Sequence, residues 1–122
     1  DGVVKILDLG LAQFFEDSNA NLARAPGVAM GTTDYVAPEQ LSGGEADHRA
    51  DIYNLGATLY HLLTGQPPFA GSTAAKMIAH HLSAADPAHE VNPDVPEELS
   101  AIVERMLAKE PSDRYQSAAQ VV

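Results

Sequence analysis

A chain of 122 residues, 45% of them hydrophobic, is long enough for one domain with a modest core and too apolar for a disordered segment. A net charge of −10, with only seven Lys and Arg and those scattered singly, argues against a nucleic-acid partner, and the lack of cysteine excludes disulfides and thiolate metal sites. No run approaches the roughly 18 apolar residues of a membrane span, so this stretch is expected to be soluble; the residues leave the compartment open, the expectation being cytoplasmic with any membrane tether lying outside the segment.

Asp1-Gly2 reads as a turn dipeptide with no strand before it, which suggests a start inside a domain. Residues 3–7 are β-branched and read as a short strand, and residues 11–15 as a second. Residues 16–28 are polar and without periodicity, and Pro26-Gly27 breaks them into a loop. Residues 31–40 form a tight, irregular segment in which Pro38 suits the first turn of a short helix.

Residues 51–65 are the expected centre of the chain. Ile52, Leu55, Leu59, Leu62 and Leu63 make one apolar face, while Tyr53, Ala57 and Tyr60 fill most of the rest, so the helix is predicted to be buried all round. Asp47 is placed to cap its start, Gly65 to end it in a left-handed turn, and Pro67 and Pro68 to stop it resuming. A peripheral helix follows from Ser72 or Thr73, with Ala74, Met77, Ile78, His81 and Leu82 inward. Residues 86–96 read as a loop, and Asp94 as the cap of a helix that turns Leu99, Ile102, Val103, Met106 and Leu107 to the core. Ser117 and Gln120 match a capping box, predicting a last helix that the chain's end truncates.

Three signals occur in order: Asp8-Leu9-Gly10 at a strand end, Gly31-Thr32-Thr33-Asp34-Tyr35-Val36-Ala37-Pro38-Glu39 after the loop, and Asp51 at the start of the central helix. With residues 47–53, residues 62–69 and Asp113-Arg114-Tyr115, they strongly resemble the large lobe of serine/threonine protein kinases, in the eukaryotic-like type found in bacteria. The resemblance covers the whole chain. It implies a mainly α, partial kinase fold: a helical large lobe with a short β-strand pair at the N-terminus and no small lobe. Within it, residues 1–10 are the strand and Asp-Leu-Gly motif, 11–40 the activation segment to Ala-Pro-Glu, and 41–122 the helical subdomain.

The same resemblance assigns residues. Asp8 would chelate the Mg2+ that bridges the phosphates of ATP, a carboxylate being the hard oxygen ligand that ion prefers, and Gly10 would give this cofactor-binding turn its backbone freedom. Read alone, Asp8 is an ordinary turn aspartate; the ordered motifs give it the metal role. Thr32 would support catalysis beside the base and, with Thr33 and Tyr35, receive the substrate residue after the phosphoacceptor. Gly31-Thr32, where tyrosine kinases carry other residues, points to Ser/Thr acceptors in protein substrates. Glu39 and Arg114 would form a buried structural ion pair, and Asp51 would accept backbone hydrogen bonds from the catalytic loop while favouring the helix dipole. Ser18 is the sole hydroxyl between Gly10 and Gly31, so Ser18, Thr32 and Thr33 are the candidate phosphosites and loop phosphorylation is expected to matter little.

His80, His81, Asp86 and His89 are close in sequence, but adjacent histidines diverge by about 100° on a helix and make a poor metal site. The family's glycine-rich loop, strand lysine with its glutamate, and His-Arg-Asp loop do not occur in these residues. The expectation is a part of a kinase, inactive alone and needing the preceding part of the domain as its partner. Such a part would leave apolar surface of the central helix exposed on the side of Asp51. The alternative is a non-catalytic pseudokinase-like or protein-interaction module.

Overall fold

The computed structural model describes residues 33–122, which are helical and, among the described residues, contain no strand. The strand pair expected within residues 1–15 lies outside them. In chain order the elements are α1 (Pro38–Leu41), α2 (His48–Thr64), α3 (Thr73–Leu82), α4 (Ala88–Val91) and α5 (Glu97–Met106), then 3-10 turns at Pro111–Asp113 and Ala118–Gln120.

The ends of α2 follow from the residues that close them. The Asp47 carboxylate accepts from the Arg49 amide at 2.8 Å, satisfying one of the free N–H groups of the first turn. Gly65 takes φ 77°, where a side chain would be strained, and donates its N–H to the His61 carbonyl at 2.8 Å. Asn92 donates from its side chain to the Leu63 carbonyl, so a residue after α4 covers a second open acceptor.

The buried face of α2 takes in only part of the leucine face: Ile52 is buried and Leu59 and Leu63 pack partly buried against the core. Ala50, Ile52, Tyr53, Gly56, Ala57 and Tyr60 are buried, whereas Asp51, Leu55, Thr58 and Leu62 form an exposed stripe, with Leu55 and Leu62 49% and 77% exposed. The expectation of burial all round is corrected, and that of exposed apolar surface beside Asp51 agrees with this stripe. Closeness of approach is the reason. Against α5, a Cβ on Gly56 would lie 2.7 Å from the Met106 Cβ, so the helices meet at the point where α2 carries no side chain. The core gathered there contains Ala50, Tyr53, Ala57, Tyr60, Val103 and Leu107.

Four further expectations are corrected by local chemistry. On α3, capped by Ser72, the buried residue is His80, while Met77, Ile78 and Leu82 face outward. The apolar stripe there loses to a histidine that can hydrogen-bond within the core. On α5, Pro96 rather than Asp94 precedes the first turn without any side-chain cap; the Asp94 amide is taken by the Asn92 side chain. Val103, Met106 and Leu107 are buried as expected. Residues 88–91, read as loop, form the short α4 that lies against α2 and α5. Ser117 makes no cap, and Gln120 accepts from the Gln116 amide instead, so a 3-10 turn forms.

Gly56→Ala measures the α2–α5 contact. Helix preference favours alanine by about 1 kcal/mol, but overpacking at this approach costs about 1–3 kcal/mol. A lowered melting temperature is expected in thermal denaturation, and a raised one would contradict the close approach.

Candidate functional site

Asp8, Gly10, Ser18 and Thr32 lie outside the described residues. The site can therefore be built from residue 33 onward, where Thr33, Asp34 and Tyr35 form a turn that leads into Ala37 and α1. Pro38 starts α1 at the position where a missing N–H costs nothing, and the Gln40 side chain accepts from the Ala37 amide at 3.2 Å. Four residues of helix cannot hold themselves in water. What holds them is Glu39.

The Glu39 carboxylate is gripped by Arg114, with Nη1 to Oε1 at 2.6 Å and Nη2 to Oε2 at 2.9 Å. This is the two-pronged geometry that a guanidinium fits best. The other donors of Arg114 are also used: Nη1 to the Arg49 carbonyl, Nη2 to the Lys109 carbonyl and Nε to the Ala108 carbonyl. All five N–H groups are thus satisfied on a side chain with no exposed surface. The guanidinium also lies 4.9 Å from the centre of the Tyr53 ring. For Glu39, burial pushes the carboxyl pKa up, but the hydrogen bonds and charge of Arg114 outweigh it and hold it below its ordinary value.

Tyr35 is fixed by α2. Its hydroxyl hydrogen-bonds His61 Nδ1 at 2.6 Å and its ring stacks on the imidazole, 5.9 Å between centres and 15° between planes. Asp34 pairs with Lys76 of α3 at 2.5 Å, both side chains being mostly covered. Thr33 is half-buried beside them. The structure therefore pairs Glu39 with Arg114 and sets Tyr35 against His61 of α2, with Thr33 in the turn beside Asp34. Asp51 stands apart, exposed in the first turn of α2.

Sequence reasoning missed His80. Its imidazole is fully buried, hydrogen-bonded through Nδ1 to the Tyr53 hydroxyl at 2.8 Å, and meets the edge of Phe69 at 4.7 Å between centres. Burial pushes the Tyr53 phenol pKa well up, so its proton stays on. If the ring donated to that oxygen, the phenol proton would have no acceptor, so Tyr53 donates to Nδ1 and the ring proton sits on Nε2. Burial, aided by the charge of Lys109, lowers the His80 pKa to about 4; the Thr33 backbone and Asp34 pull the other way. Lys109, lowered to about 8 mainly by burial, donates to the Ala79 carbonyl and lies over Phe69. No sequence signal marked it, since the apolar stripe of α3 lies on the other face and His80 is the one buried residue of that helix.

Elsewhere, a hollow of about 410 Å³ lies between the end of α3 and α5, lined by Tyr60, Leu82, Asp86, Val103, Glu104 and Lys109 among others, away from the 33–39 segment. Among the described residues no three His, Cys, Asp or Glu side chains converge as a metal site, and no helix is long and apolar enough to cross a membrane.

The protein kinase domain family matches this chain over residues 1–122. Among individual relatives, the serine/threonine-protein kinase PknF of Mycobacterium tuberculosis is 44% identical over 118 residues, covering 95% of this chain and 24% of the relative. The probable serine/threonine-protein kinase PknB of Bifidobacterium longum is 38% identical over 120 residues, 98% of this chain and 17% of the relative. PknB of Mycolicibacterium smegmatis is 38% identical over 122 residues, 99% and 19% respectively. The chain thus spans about a fifth of the length of the curated relatives it matches.

The buried groups set an acid limit on stability. An unfolded histidine takes its proton near 6.5 but His80 only near 4 in the folded state, so its contribution is complete above pH 6.5 and is lost as pH falls toward 4. That loss is worth up to about 3 kcal/mol. Glu39, also lowered, adds its own loss below its ordinary 4.5. Denaturant melts should therefore show stability falling already between pH ~6.5 and ~5, ahead of the carboxylates; a flat profile over that range would contradict the burial of a neutral His80.

Proposed function

The chain belongs to the protein kinase domain family, and on that premise we propose that it forms the substrate-side platform of a serine/threonine kinase, which passes the γ-phosphoryl of ATP to protein serine or threonine. The observation that carries this reading is the anchoring of Glu39 by Arg114. It ties the Ala37-Pro38-Glu39 end of the segment to the helical body and holds Thr33 and Tyr35 in a defined turn before it. Phosphoryl transfer is mostly a matter of position and electrostatics, and a rigid seat for the acceptor peptide is what such a segment has to offer.

On this reading residues 1–10 carry the Asp-Leu-Gly motif, 11–40 the activation segment and 41–122 the helical subdomain. Thr32, Thr33 and Tyr35 contact the residue after the phosphoacceptor, and Thr32 supports the base. Ser18, Thr32 and Thr33 are the candidate phosphosites. Asp51 faces the catalytic loop of the preceding part of the domain, its expected partner, and the protein works in the cytoplasm. Members of the family use ATP with magnesium. Asp8, aided by Gly10, would hold that metal; both lie outside the described residues, and none of the described residues is given a ligand role.

The 122 residues by themselves are expected to be inactive, because the base, the strand lysine and the phosphate-covering glycines are not among them. An interaction role is the second reading, favoured by the outward Met77, Ile78 and Leu82 of α3. One experiment separates these: assay the 122 residues and the natural full-length protein with magnesium-ATP and peptides bearing Ser, Thr or Tyr. Transfer to Ser or Thr by the full-length protein alone is expected. Transfer by the 122 residues would contradict their inactivity, and no transfer by the full-length protein would favour the interaction module.

A further inference from the structure

We propose that His80 is a positioning residue: together with Lys76 it sets the placement of the Thr33–Asp34 turn, and through that turn which side chain is accepted beside the phosphoacceptor. This rests on the reading of Thr33 as part of the substrate platform.

Lys76 and His80 are four residues apart on α3 and so lie on one face of the helix. Lys76 grips the Asp34 carboxylate. His80 is fully buried one turn later, and the Thr33 backbone and Asp34 are the neighbours that favour its charged form. Its Nδ1 is committed to Tyr53, which leaves Nε2–H as a buried donor directed at the Thr33 backbone without meeting an acceptor at full hydrogen-bond geometry. A buried donor without a full partner is destabilising, and the Thr33 carbonyl is the acceptor within reach of a small movement of the turn. A donor left open in this way does more than fill space.

The same side chain connects both ends of the segment. Tyr53 receives Arg114 on its ring and His80 on its hydroxyl; Arg114 holds Glu39, and His80 faces the turn at Thr33. The stretch from 33 to 39 is therefore clamped at its two ends by groups that meet at one tyrosine. A substrate side chain pressing on the turn works against that clamp. His80 touches no reacting atom; it acts through the turn.

The test uses the natural full-length protein and its variants His80→Gln, which keeps an N–H donor near the Nε2 position, and His80→Phe, which keeps volume without it. Acceptor peptides differing only in the residue after the Ser or Thr are assayed, and amide exchange is read at residues 33–35. For His80→Phe, KM for the preferred peptide should rise about three- to tenfold with kcat little changed, preference among the peptides should flatten, and exchange at 33–35 should quicken by a similar factor. His80→Gln should restore both. Unchanged preference and exchange in His80→Phe, with a shifted melting temperature only, would overturn the proposal. Should His80→Phe not fold, Lys76→Met reads the same clamp from its more exposed end, and unaltered exchange there would overturn it as well. Absence of any transfer by the unsubstituted protein would bring down the kinase reading and with it the role in specificity, while exchange would still decide whether His80 holds the turn.

Discussion

A guanidinium taken out of water forfeits several kcal/mol of solvation, and a single carboxylate does not return it unless every other donor is also paired. Arg114 meets that condition by drawing acceptors from three places. Glu39 comes from α1, the Arg49 carbonyl from the first turn of α2, and the Ala108 and Lys109 carbonyls from the chain just past α5. The three places lie apart in sequence. Once Arg114 is buried, the start of α2, the end of α5 and the short α1 have one mutual arrangement, and the 33–39 segment inherits it. The ion pair contributes definition of the site more than net stability, since a well-packed apolar replacement of both partners could be as stable.

The helix pair beneath this cation obeys a different constraint. α2 and α5 approach so closely at Gly56 and Met106 that no β-carbon fits, and this contact turns α2 about its axis. Tyr53 is thereby aimed at Arg114 and His80, and Tyr35 meets His61 on another side of the same helix. Packing of the core and geometry of the candidate site are consequently one problem. A change in the α2–α5 distance would be felt at the segment through the two tyrosines. The Leu55–Leu62 stripe, left outward by the same rotation, is the apolar surface for which the described residues provide no cover.

Much of this was legible in the residues. Asp47 and Gly65 bracket α2 because caps are local chemistry, and Pro38 marks the start of α1 for the same reason. The order of the Asp8, Gly31–Glu39 and Arg114 motifs pointed to the family that the comparisons show. The facing of helices was not legible. Leu55 and Leu62 on α2 and the Met77–Leu82 spacing on α3 point the wrong way, because close approach at Gly56 and the hydrogen bond between Tyr53 and His80 decide rotation, and neither is visible until the partner helix is in place. Asp94 does not cap because α5 starts only at Glu97, with Pro96 in the cap position two residues further on. At the site, Glu39 and Arg114 could be named 75 residues apart, but the three carbonyls completing the cage could not.

Order in the 33–39 segment depends on the five-donor fork of Arg114 rather than on its charge. The direct measurement is the unfolding free energy of Arg114→Lys in the natural full-length protein, with amide exchange read at residues 33–39. Lysine keeps the charge and offers three donors with no planar fork, so stability should fall by about 3 kcal/mol and exchange across 33–39 should rise together. Stability and exchange close to those of the unsubstituted protein would show that a positive charge alone suffices, and the fork would not be what orders the segment.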